Sequence, residues 1–176
     1  MRRRQHLATL GALASVIVAG RAQAQSDSVK IGLILPMTGP FASTGRQIDA
    51  AVKLFLAQGG NKAGGKKVEV ILKDDAGVPD TTRRLAQELV VNDKVTVLAG
   101  FGLTPCALAA APIATQSKTP LVVMAAGTSS ITEASPFVTR TSVTLPQVAV
   151  GMAEWSNKNG IKKVVTLVAD FGPGFD

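Results

Sequence analysis

Four apolar runs alternate with three stretches whose apolar residues recur at helical spacing, and this alternation restricts the fold more than any other feature of the chain. The runs occupy residues 29–35, 67–73, 95–99 and 120–124. Between them, Ile48, Ala51, Val52, Phe55 and Leu56 mark a helix over 45–58, closed by Gly59 and Gly60. Leu85, Ala86, Leu89 and Val90 mark a second helix, entered through Val78, Pro79, Asp80 and Thr81. A third is expected over 105–116. Strands that are apolar on both faces belong in a parallel sheet covered by helices. The pattern predicts an α/β fold with a doubly wound parallel sheet and right-handed crossovers.

In such a sheet, ligands bind beyond the carboxyl ends of the strands. The loops there are 36–45, 74–79, 100–104 and 125–130. Three of them set hydroxyls among small residues: Ser43 and Thr44, then Thr104, then Thr128 and Ser129. Small residues let backbone amides approach a ligand, and hydroxyls both donate and accept. Within Leu98 to Cys106, a glycine-rich turn leads to Thr104 as the expected N-cap and Pro105 as the expected first helical residue. Unpaired N–H groups and the helix dipole then favour a small anionic group, such as a carboxylate. Plain capping by Thr104, with no ligand, is the alternative.

The same residues argue against catalysis. Asp74 and Asp75 are the only adjacent acidic pair in those loops, and neighbouring carboxylates in an extended strand point to opposite faces. Helix capping or a solvated strand end suits them better than a metal, and no metal or other cofactor is expected. Gly100-Phe101-Gly102 lacks the third glycine of a dinucleotide fingerprint. Cys106 is the single cysteine. At a helix start the dipole would lower its pKa, whereas a plain packing role leaves it inert.

The N-terminal residues read as a secretory leader: basic Arg2, Arg3 and Arg4, an apolar stretch over 7–20, and Ala22-Gln23-Ala24 as a cleavage pattern. A stretch that short does not span a bilayer. Cleavage would remove His6, the sole histidine, and with it any histidine-assisted nucleophile or histidine-ligated metal. It would also remove four of the 19 basic residues, leaving a net charge of +3 from 15 basic and 12 acidic residues. No basic stripe with interleaved aromatics remains, so no nucleic-acid partner is expected.

After Glu133 the pattern changes. Residues 135–141 read as a short extended crossing segment, 146–159 as a helix with Val148, Met152 and Trp155 on one face, and 161–169 as an apolar strand. A further βα unit is begun there and left unfinished. The expected division is a signal peptide (1–24), an N-terminal ligand-binding lobe (25–140), and a crossover with the truncated start of a second lobe (141–176). A complete domain with an extra edge strand is the alternative.

Several ordered pieces carry a family resemblance: Val29-Lys30-Ile31-Gly32, Pro36-Met37-Thr38-Gly39-Pro40, Gly45, Gly59-Gly60, Asp74-Asp75, Pro120-Leu121, Arg140-Thr141, and Asp170-Phe171-Gly172 with Gly174. Together they resemble the branched-chain amino-acid (Leu/Ile/Val) binding family of periplasmic solute receptors for ABC importers. The resemblance implies a two-lobe periplasmic receptor without enzymatic activity, monomeric at full length, which closes around a ligand and delivers it to an inner-membrane permease. It implies that a hydroxyl at Thr104, with the backbone and hydroxyl at Ala126, Gly127 and Thr128, holds the ligand carboxylate. It also implies that Phe171 covers the ligand, here without the hydroxyl of the family's tyrosine. The family's acidic partner for an amino group would lie beyond Asp176, and its paired cysteines are absent. Relatives with a similar Gly102-Leu103-Thr104-Pro105 turn look like receptors for aromatic or other organic acids. A sensor of the same fold, feeding a regulator in place of a transporter, is the competing function.

Overall fold

The computed structural model describes residues 28–176. The leader expected over 1–24 lies outside the described residues. The elements are β1 (Ser28–Leu35), α1 (Ala42–Gly59), β2 (Lys62–Ala63), β3 (Lys66–Asp74), α2 (Pro79–Val91), β4 (Val97–Gly100), α3 (Thr104–Ser117), β5 (Leu121–Val123), β6 (Val138–Arg140) and α4 (Leu145–Lys158). Short 3-10 turns occupy Ser129–Glu133 and Gly172–Gly174. They form one six-stranded sheet in the order β2-β3-β1-β4-β5-β6. Every pairing is parallel except that of β2 with β3.

The strand order reverses at β1, which lies between β3 and β4, so the loops leaving β1 and β4 diverge and open a crevice at their carboxyl ends. Alternation along β1 sends Ile34 to one face and Leu33 and Leu35 to the other. The Ile34 face carries α2 and α3 and holds the larger core, with Leu85, Leu89, Leu98, Leu121 and Ile131. The α3 contribution is small side chains, Ala107, Ala110, Ala111 and Ala114, which let that helix sit close to α2 and the sheet. The other face packs Ile48 and Val52 of α1 against Leu33, Leu35 and Ala99.

Two short segments also join the sheet. Lys62–Ala63 folds back on Lys66 and Lys67 through Gly64 and Gly65, both at positive φ. Val138–Arg140, within the expected crossing segment, pairs with β5. One expected strand is absent: residues 161–169 are irregular and exposed, with Val165 and Leu167 fully in solvent. A strand needs a neighbour to satisfy its backbone, and no described strand lies beside this segment.

Candidate ligand-binding site

The site is built where β4 and β5 end. β4 terminates at Gly100, whose φ is +114° and where a Cβ would stand 2.1 Å from the Ile34 carbonyl oxygen. Only glycine fits that approach. Phe101 follows at φ +63°, buried in the core, its N–H donated to the Ile34 carbonyl at 2.9 Å. Its carbonyl accepts the Ala126 N–H at 3.1 Å, and the Gly100 carbonyl accepts the Met124 N–H at 2.7 Å. A strained turn after β4 thus fixes the loop after β5.

Helix α3 begins one residue earlier than expected. Its N-cap is Leu103, in extended conformation and with no side-chain cap bond, so Thr104 is the first helical residue and Pro105 the second. Thr104 is therefore not the cap. Its hydroxyl turns across the crevice to the Thr128 hydroxyl, 2.7 Å away, and both residues are buried. Whichever hydroxyl donates, the other keeps a hydrogen to offer a third group.

The turn after β5 is fixed at each residue. The Ala126 carbonyl accepts from Ser142 Oγ at 3.2 Å, and that of Gly127 from the Leu145 N–H at 3.0 Å. The Thr128 carbonyl accepts from Arg140 Nη1 at 2.6 Å. Because its N–H is held by Phe101, Ala126 shapes the turn. The next residue, Ser129, donates its N–H to both carboxylate oxygens of Asp176, at 3.0 and 2.9 Å, and its hydroxyl also bonds that carboxylate. This turn therefore already accepts an acid, one belonging to the chain itself.

Phe171, half-buried, caps the 3-10 turn Gly172–Gly174. A Cβ on Gly172 would stand 3.0 Å from Thr104 Cγ2 and 3.4 Å from Thr128 Oγ1, so the chain after Phe171 roofs the threonine pair. Thr44 is not in a loop, because α1 starts at Ala42 and encloses Ser43, Thr44 and Gly45 in its first turn. No hydrogen bond joins Thr44 to the threonine pair among the described residues.

The acidic pair does different work from that expected. Asp74 Oδ1 accepts the N–H groups of Met37 and Ala76, each at 2.8 Å, and of Thr38 at 3.3 Å, while Oδ2 accepts the Thr38 hydroxyl at 2.7 Å. Desolvation works to raise its pKa, but these donors outweigh it and hold the carboxyl below its ordinary value. Asp75 is fully buried, accepting the Gly77 N–H at 2.9 Å and the Thr82 hydroxyl at 2.8 Å. Neither acid is the helix cap, that position being Val78, and only Asp74 is a solvated strand end, the exposed last residue of β3. Together they lock the loop after β1 to the start of α2. Cys106 is buried, and desolvation pushes its thiol up to about 11, the reverse of what the helix dipole alone would do.

A separate cavity of about 520 Å³ lies on the α1 face of the sheet among Leu33, Val52, Phe55, Val70, Val122 and Met124. Its lining is apolar and offers little to orient a charged group. Arg140 and the positive φ of Phe101 are the features of the site that the sequence reading missed. A non-glycine residue at positive φ leaves no mark in a hydropathy pattern. The signal for Arg140 was a basic residue closing a short extended segment.

Hydroxyls gathered at the strand ends of a doubly wound α/β lobe lie where ligands bind in folds of this class. Residues 28–174 match the periplasmic binding protein family model, and the chain belongs to that family. It is 45% identical over 168 residues to Leu/Ile/Val-binding protein homolog 6 of Brucella abortus (strain 2308), covering 95% of this chain and 43% of that relative. A solute-binding protein of an ABC transporter from Rhodopseudomonas palustris BisB5, solved with 3,4-dihydroxybenzoic acid, is 63% identical with a TM-score of 0.83, covering 85% of this chain and 41% of that one. Another from R. palustris, solved with 4-hydroxybenzoate, is 42% identical with a TM-score of 0.80, covering 84% and 40%. All three are binding proteins by name. The chain spans less than half the length of each.

Proposed function

We propose that this chain is the first lobe, with the crossover and the start of the second lobe, of an extracytoplasmic solute-binding component of an ABC importer, and that its solute is a small aromatic carboxylate of the hydroxybenzoate class. The supporting observation is the Thr104–Thr128 hydroxyl pair, 2.7 Å apart across two neighbouring strand ends. Nothing there is arranged to break a bond. Residue 25 starts the mature chain, residues 25–140 form the lobe, and the inner-membrane permease is the partner. No helix among the described residues is long and apolar enough to cross a membrane.

The choice of an aromatic acid over a branched-chain amino acid draws on the two R. palustris structures, both solved with hydroxylated benzoic acids. Phe171 agrees with it, since an apolar ring covers another ring without needing a polar partner. Thr104 and Thr128 take one carboxylate oxygen, and Gly127 lets the ligand approach the turn.

Calorimetric titration of the full-length protein with 3,4-dihydroxybenzoate, 4-hydroxybenzoate and leucine tests the reading. Both benzoates should bind at least about tenfold more tightly than leucine, a gap of about 1.4 kcal/mol. Thr104→Ala and Thr128→Ala should each weaken benzoate binding by about 1.5–3 kcal/mol, the range of a charge-assisted hydrogen bond. Tighter binding of leucine would reverse the assigned class.

A further inference from the structure

We infer that Arg140 makes this mouth selective for anions: it positions the Thr128 turn and supplies positive charge that no carboxylate holds in an ion pair. The inference rests on the carboxylate reading above. Arg140 closes β6, and its register partner is Val123, the last residue of β5. From there its partly buried guanidinium reaches the Thr128 carbonyl at 2.6 Å. That carbonyl also accepts the Ile131 N–H at 3.3 Å, while the hydroxyl of the same residue bonds Thr104 at 2.7 Å. Thr128 is therefore fixed at both ends, with a cation behind it.

The charge balance at this edge singles out Arg140. Lys73, next to the last residue of β3, is neutralised by Glu88 at 2.8 Å. Among the described residues no carboxylate lies within ion-pair distance of Arg140. The Asp176 carboxylate at this turn accepts from Ser129 and not from Arg140. Hydroxyls and amides bind a carboxylate and its neutral amide with similar geometry, so they discriminate poorly on charge. A carboxylate entering the mouth sheds water, and a partly buried cation offsets that cost for the anion alone. A guanidinium is suited to the place because it stays charged while donating to a carbonyl.

The test titrates the full-length protein and its Arg140→Met and Arg140→Lys variants with 4-hydroxybenzoate and with 4-hydroxybenzamide, its uncharged isostere. Arg140→Met should lose about tenfold or more in affinity for the acid and less than about threefold for the amide. Arg140→Lys should recover most of the preference for the acid. A proportional loss of both ligands, an Arg140→Met that loses nothing, or a lysine variant as weak as the methionine one each overturns the inference. If Arg140→Met melts before titration, the acid-to-amide ratio of Arg140→Lys decides: retained preference supports the role of charge and lost preference refutes it. A wild-type protein that binds neither 4-hydroxybenzoate nor leucine overturns the carboxylate reading and this role together. Wild-type binding with an indifferent Arg140→Met overturns the role of Arg140 alone.

Discussion

Residues 28–140 and residues 141–176 are built from similar material and fold to different degrees. The stretch 161–169 is as apolar as β1, yet Leu98 in the first region is 0% exposed and Leu167 in the second is 101% exposed. β1 has a parallel neighbour on each side, which satisfies its amides and carbonyls and buries its side chains. Residues 161–169 have no ladder partner among the described residues. Helix α4 stands between these cases. It forms because a capping box of Thr144 and Gln147 satisfies its first turn locally, yet none of its residues is buried. Local signals suffice for a helix, whereas a strand depends on a partner remote in sequence. The two regions touch at the mouth, where Gly172 covers the threonine pair, Asp176 holds Ser129 and Leu145 bonds Gly127.

Paired glycine substitutions should separate the regions most widely. Gly100→Ala places a methyl against the Ile34 carbonyl at a φ alanine avoids, and should cost at least about 4 kcal/mol in urea unfolding. Gly151→Ala, in α4 with nothing within 4 Å, should leave global unfolding unchanged while favouring the helix by about 0.5–1 kcal/mol. Equal costs at the two positions would erase the distinction. Next in size, Leu98→Ala empties a fully buried site in the larger core and should cost about 2–5 kcal/mol, read from the same melts.

An intermediate effect is expected in acid. The pKa of Asp74 is lowered from 3.8 in the folded chain, so the unfolded chain takes up this proton at higher pH than the folded one does. Its contribution to stability is complete above the unfolded value and is lost as pH falls through the folded one. Asp74→Asn should be less stable at neutral pH and should show a shallower loss of stability below about pH 4. A variant with the wild-type acid profile would show that the clamp on residues 37, 38 and 76 adds nothing to folding.

How much of this was legible beforehand follows from the same physics. The α/β class and the threonine at each strand end were readable because periodicity and small-residue loops report burial directly. That Thr104 and Thr128 bond each other was not, because it depends on Leu103 taking the N-cap and freeing the Thr104 hydroxyl. The pairing of Val138–Arg140 with β5 was equally hidden, since three residues are too few to show an alternation. The 161–169 strand was misread for the converse reason: its apolar pattern was present but its partner was not. Asp74 and Asp75 were visible as a pair, but their partners lie up to 37 residues away in sequence.

The smallest predicted effect probes the boundary between the regions most directly. Leu167 is fully exposed, so it gives up no water-exposed surface on folding and contributes no burial term. Leu167→Ala should change unfolding of the described chain by less than about 0.5 kcal/mol, against several for the same change at Leu98. Residues 162–169 have no strand partner for their backbone groups and carry exposed apolar side chains, which favours association between chains. Val165→Lys with Leu167→Lys should therefore slow concentration-dependent association, followed by light scattering, without altering the melt. A cost above about 1.5 kcal/mol for Leu167→Ala would mean that this residue is buried in solution. The segment would then have found a neighbour, and the contrast between the two regions would reduce to a difference in packing partners.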